Sequence, residues 1–309
     1  MQPGKAKLTS RNPGAWYVLL AAMLWGTTGT SQALAPPGAG SATIGTARLV
    51  IGGLGLLAYA LLRGRLKDRR RWPLAATLIA AASMAAYQVF FFAGVARTGV
   101  AVGTIVGIGS SPILAGAIAY LVRGERPGRR WAIATALAIA GCVLLITSGG
   151  DVQVNIGGVF LAIGAGLAYA IFTVASKNLL EEHAPEAVMA VTFCLGALFL
   201  LPLIFNDGWN WLREPRGIAV ALHLGLVTVA VAYTFFARGL LLVSVATAAT
   251  LTLAEPLTAA TLGVFLLGER LTLPAFVGIV LIFSGLALLS LRRPVKSSIP
   301  ESESAPLVD

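Results

Sequence analysis

Charge is what this chain has least of. Asp, Glu, Lys and Arg make up 12% of its 309 residues, about half their share in a soluble globular protein. With 57% apolar residues and a mean hydropathy of +0.83, too little polar sequence is left to cover two soluble domains. The composition is that of a polytopic membrane protein. Cysteine is nearly absent: Cys142 and Cys194 each sit deep in an apolar stretch with no second thiol nearby. That excludes a disulfide framework and a zinc site, and leaves both as small packing residues. The two histidines, His183 and His223, have no ligand spacing. His183 falls in an acidic loop with Glu181, Glu182 and Glu186 and is expected to be solvated. No H-E-x-x-H, Walker lysine or C-x-x-C is present, so no catalytic residue, metal ligand or cofactor is expected. Gly109-Ser110-Ser111 resembles a serine-protease site only superficially, because no base accompanies it. A net charge of +10 suggests nucleic acid in a soluble chain. Here Lys and Arg lie mainly in short loops, and no nucleic-acid partner is expected.

What the chain does have is long apolar runs. Ten segments of about 18–25 residues are each long enough to cross a hydrocarbon core of about 30 Å. They fall near 14–35, 43–62, 73–96, 99–122, 131–148, 156–178, 186–205, 217–238, 243–267 and 274–291. Residues 1–13 form a polar arm, and 292–309 a tail without apolar period that reads as disordered. Ala33-Leu34-Ala35 resembles a signal-peptidase site, but Pro36 disfavours cleavage there, so the first segment is kept as a transmembrane helix. With the N-terminus inside, eighteen Lys and Arg fall on the inner side and four outside (Arg97, Arg213, Arg216, Arg270), leaving Arg48 within a helix. The positive-inside rule then places both termini in the cytoplasm of a bacterial inner membrane.

The two halves match each other 144 positions apart without a gap. Gly124-Glu125-Arg126 recurs as Gly268-Glu269-Arg270, Phe91-Phe92 as Phe235-Phe236, Pro112 as Pro256, Gly141 as Gly285 and Gly14 as Gly158, while Trp25 falls over Tyr169. Two repeats, 14–148 and 156–291 joined by an outer linker at 149–155, each hold five spans. An odd number forces them into opposite orientations. The expected fold is all-α, ten transmembrane helices as two inverted five-helix repeats around a central cavity. Such repeats are how secondary transporters build one site that opens to either side. Ten helices suffice to enclose a cavity, so a single chain is enough, with a small-molecule substrate and the lipid bilayer as its partners.

Candidate site residues are polar and aromatic groups that lipid would not tolerate. Glu255 lies in the middle of the ninth segment beside Pro256, where an ionisable group is costly unless paired, protonated or facing water. It can receive a substrate amine or exchange a proton. Alternatively it is a protonated carboxyl bonded to carbonyls that the proline frees, a reading its repeat partner Ser111 favours. Pro112 and Pro256 interrupt matching helices and are candidate hinges. Trp25, Tyr87, Gln88, Phe91, Tyr169, Phe172, Tyr233 and Phe236 form an aromatic constellation. For Tyr87, Gln88, Trp25 and Tyr169 the polar atoms need partners and a cavity is favoured. The phenylalanines fit a cavity wall or plain core equally well. Arg48 is expected to snorkel outward first, or else to pair, and Lys177 and Arg97 at helix ends to snorkel. Glu125 with Arg126, and Glu269 with Arg270, are expected to pair in loops.

Pro112 followed by Gly124-Glu125-Arg126, Glu255-Pro256 followed by Gly268-Glu269-Arg270, and Leu24-Trp25-Gly26 in the first helix resemble the drug/metabolite transporter superfamily. The likeness is to its ten-helix branch with paired EamA-type repeats and covers residues 14–291; the overall look is most similar to bacterial aromatic amino-acid exporters of the YddG type. The resemblance implies a cavity lined by helices 1, 3, 4, 6, 8 and 9, which carry Trp25, Tyr87, Ser111, Tyr169, Tyr233 and Glu255 but not Arg48. It implies export of a small metabolite, aromatic amino acids first, by alternating access. A proton-coupled exporter of drugs or cationic metabolites using Glu255 is the second reading, and an intramembrane enzyme a remote third. No Lys or Arg falls mid-membrane on those helices, which disfavours phosphorylated substrates.

Overall fold

In a computed structural model of the chain, residues 12–67, 70–147, 155–205, 208–267 and 272–291 are described. Every one of the ten apolar segments contains a helix: α1 (Pro13–Trp25) with α2 (Thr28–Ala33), α3 (Ser41–Leu62), α4 (Leu74–Arg123), α5 (Arg129–Thr147), α6 (Ile156–Leu180), α7 (Pro185–Phe199), α8 (Pro215–Leu222) and α9 (Ala232–Leu242) joined by a π-helical stretch at His223–Val231, α10 (Val245–Leu251), α11 (Glu255–Leu267) and α12 (Leu273–Ser290). Eight spans among the described residues are long and apolar enough to cross a membrane. That is two fewer than the sequence pattern predicts, because α1 and α7 stop at 13 and 15 residues. The first gives way at Gly26-Thr27 to α2, and the second to a 3-10 turn at Leu201–Phe205.

Continuous helical backbone over 50 residues would make α4 a rod of about 75 Å if straight, far beyond one membrane crossing. It is not straight. A Cβ on Gly103 would lie 3.0 Å from Cα of Val95, whereas eight residues of straight helix put about 12 Å between them. The chain therefore doubles back between the candidate spans Leu74–Thr98 and Gly103–Arg123. Helix α6 lies against both limbs: Gly94 of the first and Gly107 of the second each face the backbone of Ala162. The remaining principal pairs are α1 with α9, α3 with α7 and the π-helical stretch, and α5 with α12.

Local chemistry sets the helix ends. Pro13, Pro185 and Pro215 open helices at the first turn, where the missing N–H costs nothing. Asn155, Ser244 and Thr272 cap α6, α10 and α12 by accepting from Gly158, Thr247 and Ala275 amides. Gly124 ends α4 in the left-handed region, at φ +67°, which accounts for the glycine of the first Gly-Glu-Arg. Its copy at 268–270 lies outside the described residues.

The side chains of that first triplet depart from expectation. Glu125 pairs with Arg123 at 2.9 Å rather than with Arg126. Its other oxygen accepts from the Val245 amide at 3.0 Å, at the start of α10. Arg123 also reaches Asn178 in the last turn of α6 and Glu181 just beyond it. Lys177 does not snorkel: its ammonium donates to the carbonyls of Leu240, Leu241 and Val243 at 2.7, 3.0 and 3.1 Å. That places a cation on the negative end of α9. His183 is buried rather than solvated, stacked on Trp72 with ring centroids 4.0 Å apart, while Glu186, in the first turn of α7, is buried against Arg238 at 2.6 Å.

Candidate functional site

The predicted aromatic residues meet. Trp25 ends α1, and its ring centroid lies 4.8 Å from Tyr233 and 5.4 Å from Phe236 of α9, and 6.4 Å from Tyr169 of α6. Tyr169 continues the contact to Tyr87 on the first limb of α4 at 5.8 Å, and Tyr87 to Phe91 at 5.6 Å. Phe172 lies behind, against Tyr169, Tyr233 and Phe236. Phe193 of α7, which the sequence pattern did not single out, completes the layer 4.4 Å from Tyr233. The rings divide by exposure. Phe172, Phe193 and Phe236 are fully enclosed, whereas Tyr87 and Phe91 keep part of their surface accessible.

The two prolines act differently on their helices. Pro112 has no amide to give Ile108, four residues earlier, yet the second limb of α4 runs through it unbroken. The hydroxyl of Ser111 takes the amide's place, donating to the Ile108 carbonyl at 2.9 Å. Ser111 is therefore engaged with the backbone. At Pro256 the freed carbonyl belongs to Thr252, and the helix tightens into a 3-10 turn over Thr252–Ala254 so that the amide of Glu255 itself donates to it. Glu255 thus meets the proline's demand with its backbone, and among the described residues its carboxylate has no hydrogen bond or ion pair with another group. Gly26 lets this segment approach α1, since a Cβ there would lie 2.6 Å from the carbonyl oxygen of Glu255. Leu24-Trp25-Gly26 and Glu255-Pro256 are thereby parts of one contact.

Arg48 is a correction. A snorkelling arginine lies along the outer face of its helix, but Arg48 is only 8% exposed and its Nε has no partner. It is within electrostatic reach of Glu255, Tyr87 and Tyr233, while Glu255 also reaches Tyr169. Gly45 and Gly52, one turn to either side on the same face of α3, press against Phe92 of α4 and Val229 of the π-helical stretch. Those two glycines were the available sequence signal: small residues flanking an arginine mark the side where helices approach closely. That stretch also holds Trp25 in place, its Thr228 carbonyl accepting from the indole N–H at 2.8 Å. Among the described residues, Gln88 Oε1 and Tyr169 OH are buried without partners. A cleft of about 320 Å³ lined by Asn12, Arg130, Trp131, Leu242 and Ser244 lies where α5, α9 and α10 meet, and none of the predicted site residues lines it.

Against this geometry the sequence profile of the EamA-like transporter family matches twice, over residues 12–147 and 156–291. The chain belongs to the EamA-like transporter family. It is a multi-pass membrane transporter. The chain is 44% identical over 275 residues to the uncharacterized transporter YwfM of Bacillus subtilis, covering 89% of this chain and 92% of that one. It is 34% identical over 141 residues to the threonine/homoserine exporter RhtA of Escherichia coli, covering 44% of this chain and 46% of that one. A solved crystal structure that is 21% identical superposes with a TM-score of 0.78, covering 91% of this chain and 98% of that one, a likeness of fold alone.

Proposed function

We propose that this EamA-like transporter exports amino acids, aromatic ones first, by alternating access across the bacterial inner membrane. The observation that carries this reading is the ring cluster joining α1, α4, α6 and α9 beside a carboxylate with no partner among the described residues. The partly accessible Tyr87 and Phe91, with Trp25 and Tyr169, receive the side chain, backed by Phe172, Tyr233 and Phe236, while Glu255 receives the ammonium group. Similarity to an exporter of threonine and homoserine supports the amino-acid class, and the aromatic wall selects the side chain.

Ten spans in two inverted repeats remain part of this proposal. The two family matches are offset by the same 144 residues as the sequence repeat. Contacts reciprocate at that offset: a Cβ on Gly141 would meet the Gly278 carbonyl at 2.6 Å and the Ile282 amide at 2.9 Å, and one on Gly285 the Ala134 carbonyl at 2.5 Å and the Ala138 amide at 3.2 Å. Trp25 and Tyr169, which are repeat partners, touch each other, as only residues near a common two-fold axis do. Single cysteines in place of Arg126 and Arg270 are expected to label from opposite faces; labelling from one face would overturn the inverted arrangement.

The function is tested by counterflow. Vesicles containing the purified protein and unlabelled phenylalanine are expected to accumulate labelled phenylalanine without any ion gradient, with tryptophan blocking more strongly than threonine. Folded protein that accumulates none would end the aromatic assignment. The unpartnered carboxylate also suits a proton-coupled exporter of cations, in which Glu255→Gln would abolish pH-driven efflux of methyl viologen; normal efflux by that variant at every pH rejects it.

A further inference from the structure

Two opposite charges inside the membrane region have no partner among the described residues. Arg48, buried on the inward face of α3, has no hydrogen bond or ion pair with any described residue, and the Glu255 carboxylate at the head of α11 has none either. They make no direct ion pair but lie within electrostatic reach of each other, and Tyr87 lies within reach of both. Gln88 of α4 lies near the level of Arg48. Phe92 covers Gly45, and with the two spans running antiparallel, one turn back along α4 and one turn on along α3 bring Gln88 and Arg48 to the same level. The Gln88 carbonyl oxygen is likewise buried and unpartnered.

Resting on the amino-acid reading of this site, we infer that Arg48 and Glu255 are the two poles of a zwitterion-binding site. Arg48 takes the carboxylate of the substrate and Glu255 its ammonium group, with the side chain laid on the rings between. The charge balance selects this ligand class. A buried charge is costly unless it is paired, neutralised or facing water, and a ligand that pairs it removes that cost. A monocation satisfies Glu255 but adds a like charge beside Arg48, and a monoanion satisfies Arg48 but repels Glu255. A zwitterion pairs both at once, and a guanidinium holds a carboxylate through two parallel hydrogen bonds. This assigns a function to an arginine that lies outside the helices implied by family resemblance to line the cavity.

The test is competition for counterflow of labelled phenylalanine in the reconstituted full-length protein, using half-substrates. Phenethylamine lacks the carboxylate and 3-phenylpropionate lacks the ammonium. In wild type, each is expected to compete about tenfold or more weakly than phenylalanine. Arg48→Gln is expected to remove the advantage of phenylalanine over phenethylamine, with Arg48→Lys restoring part of it. Glu255→Gln is expected to remove the advantage over 3-phenylpropionate. An arginine needed only for folding would lower every activity without altering these ratios. Either half-substrate matching phenylalanine in wild type overturns the inference, whether or not the variants fold, and so does unchanged discrimination in Arg48→Gln. Should the wild type carry threonine but not phenylalanine, the aromatic assignment falls. The zwitterion pair is then judged by threonine against 1-aminopropan-2-ol, with equal competition overturning it. Transport of no amino acid by folded protein overturns both.

Discussion

Trp25 combines two roles that substitution can separate. Its indole N–H satisfies the Thr228 carbonyl, and its ring touches Tyr169, Tyr233 and Phe236. Trp25→Phe keeps most of the ring contact and loses a buried hydrogen bond, about 1 kcal/mol. Trp25→Ala opens a cavity and is expected to cost about 3–5 kcal/mol. Tyr87, partly accessible, behaves differently: Tyr87→Ala is expected to cut counterflow severalfold while shifting the melting temperature little. Melting curves in detergent alongside counterflow resolve the two, and full transport by both alanine variants would remove these rings from the substrate path. The aromatic residues were legible in the sequence because a Tyr or Trp placed mid-span needs a partner for its polar atom. Arg48 was not. Position along a helix gives its depth but not its direction, and at the eighth residue of α3 a snorkelling arginine and an inward one read alike.

At the scale of the helix, the two prolines set a pair of linked expectations. Ser111 replaces the amide that Pro112 lacks, so Ser111→Ala leaves the Ile108 carbonyl unpaired and is expected to destabilise by about 1 kcal/mol. In a Pro112→Ala background the residue-112 amide pairs with Ile108 again, and the same Ser111→Ala should cost less. Melting temperatures of the four proteins form a double-mutant cycle; equal costs in both backgrounds would show that the hydroxyl does not serve the proline. Pro256 works through phase. Three residues in 3-10 geometry turn the chain about 60° further than in an α-helix, which orients Glu255. Pro256→Ala is expected to regularise α10–α11, keep or raise thermal stability, and lower transport severalfold. Transport at the wild-type rate would show that the 3-10 turn is dispensable. Sequence reasoning predicted interruption at both prolines, yet only one helix breaks. A hydroxyl at the preceding position heals a helix locally, and a carboxylate there does not.

Across the whole molecule, one end of the bundle is tied by charge. Arg123 and Glu125, closing α4, reach Asn178 in the last turn of α6, Glu181 just beyond it and the first amide of α10, so each contact crosses between the two halves. The 144-residue offset was readable because a charged triplet, a proline and an aromatic pair share it, and the spans were readable from apolar length. These crossing contacts were not readable, because a loop charge in sequence does not name its partner. The offset does say that the tie is one-sided. Arg123 and Glu181 correspond to Leu267 and Pro37, which cannot form an ion pair. Half-exposed pairs contribute on the order of 1 kcal/mol each, enough together to change the ratio of two conformations by about tenfold. Arg123→Ala is therefore expected to loosen this end and populate a state open on the side where the Lys and Arg cluster. Spin labels on cysteines at Arg126 and Glu182, exposed positions on the two sides of the tie, should then show a second, longer distance, and phenylalanine should enter and leave with altered asymmetry. A distance distribution identical to that of the labelled parent would mean that the helices, through contacts such as the reciprocal glycines of α5 and α12, hold this end closed without the charges.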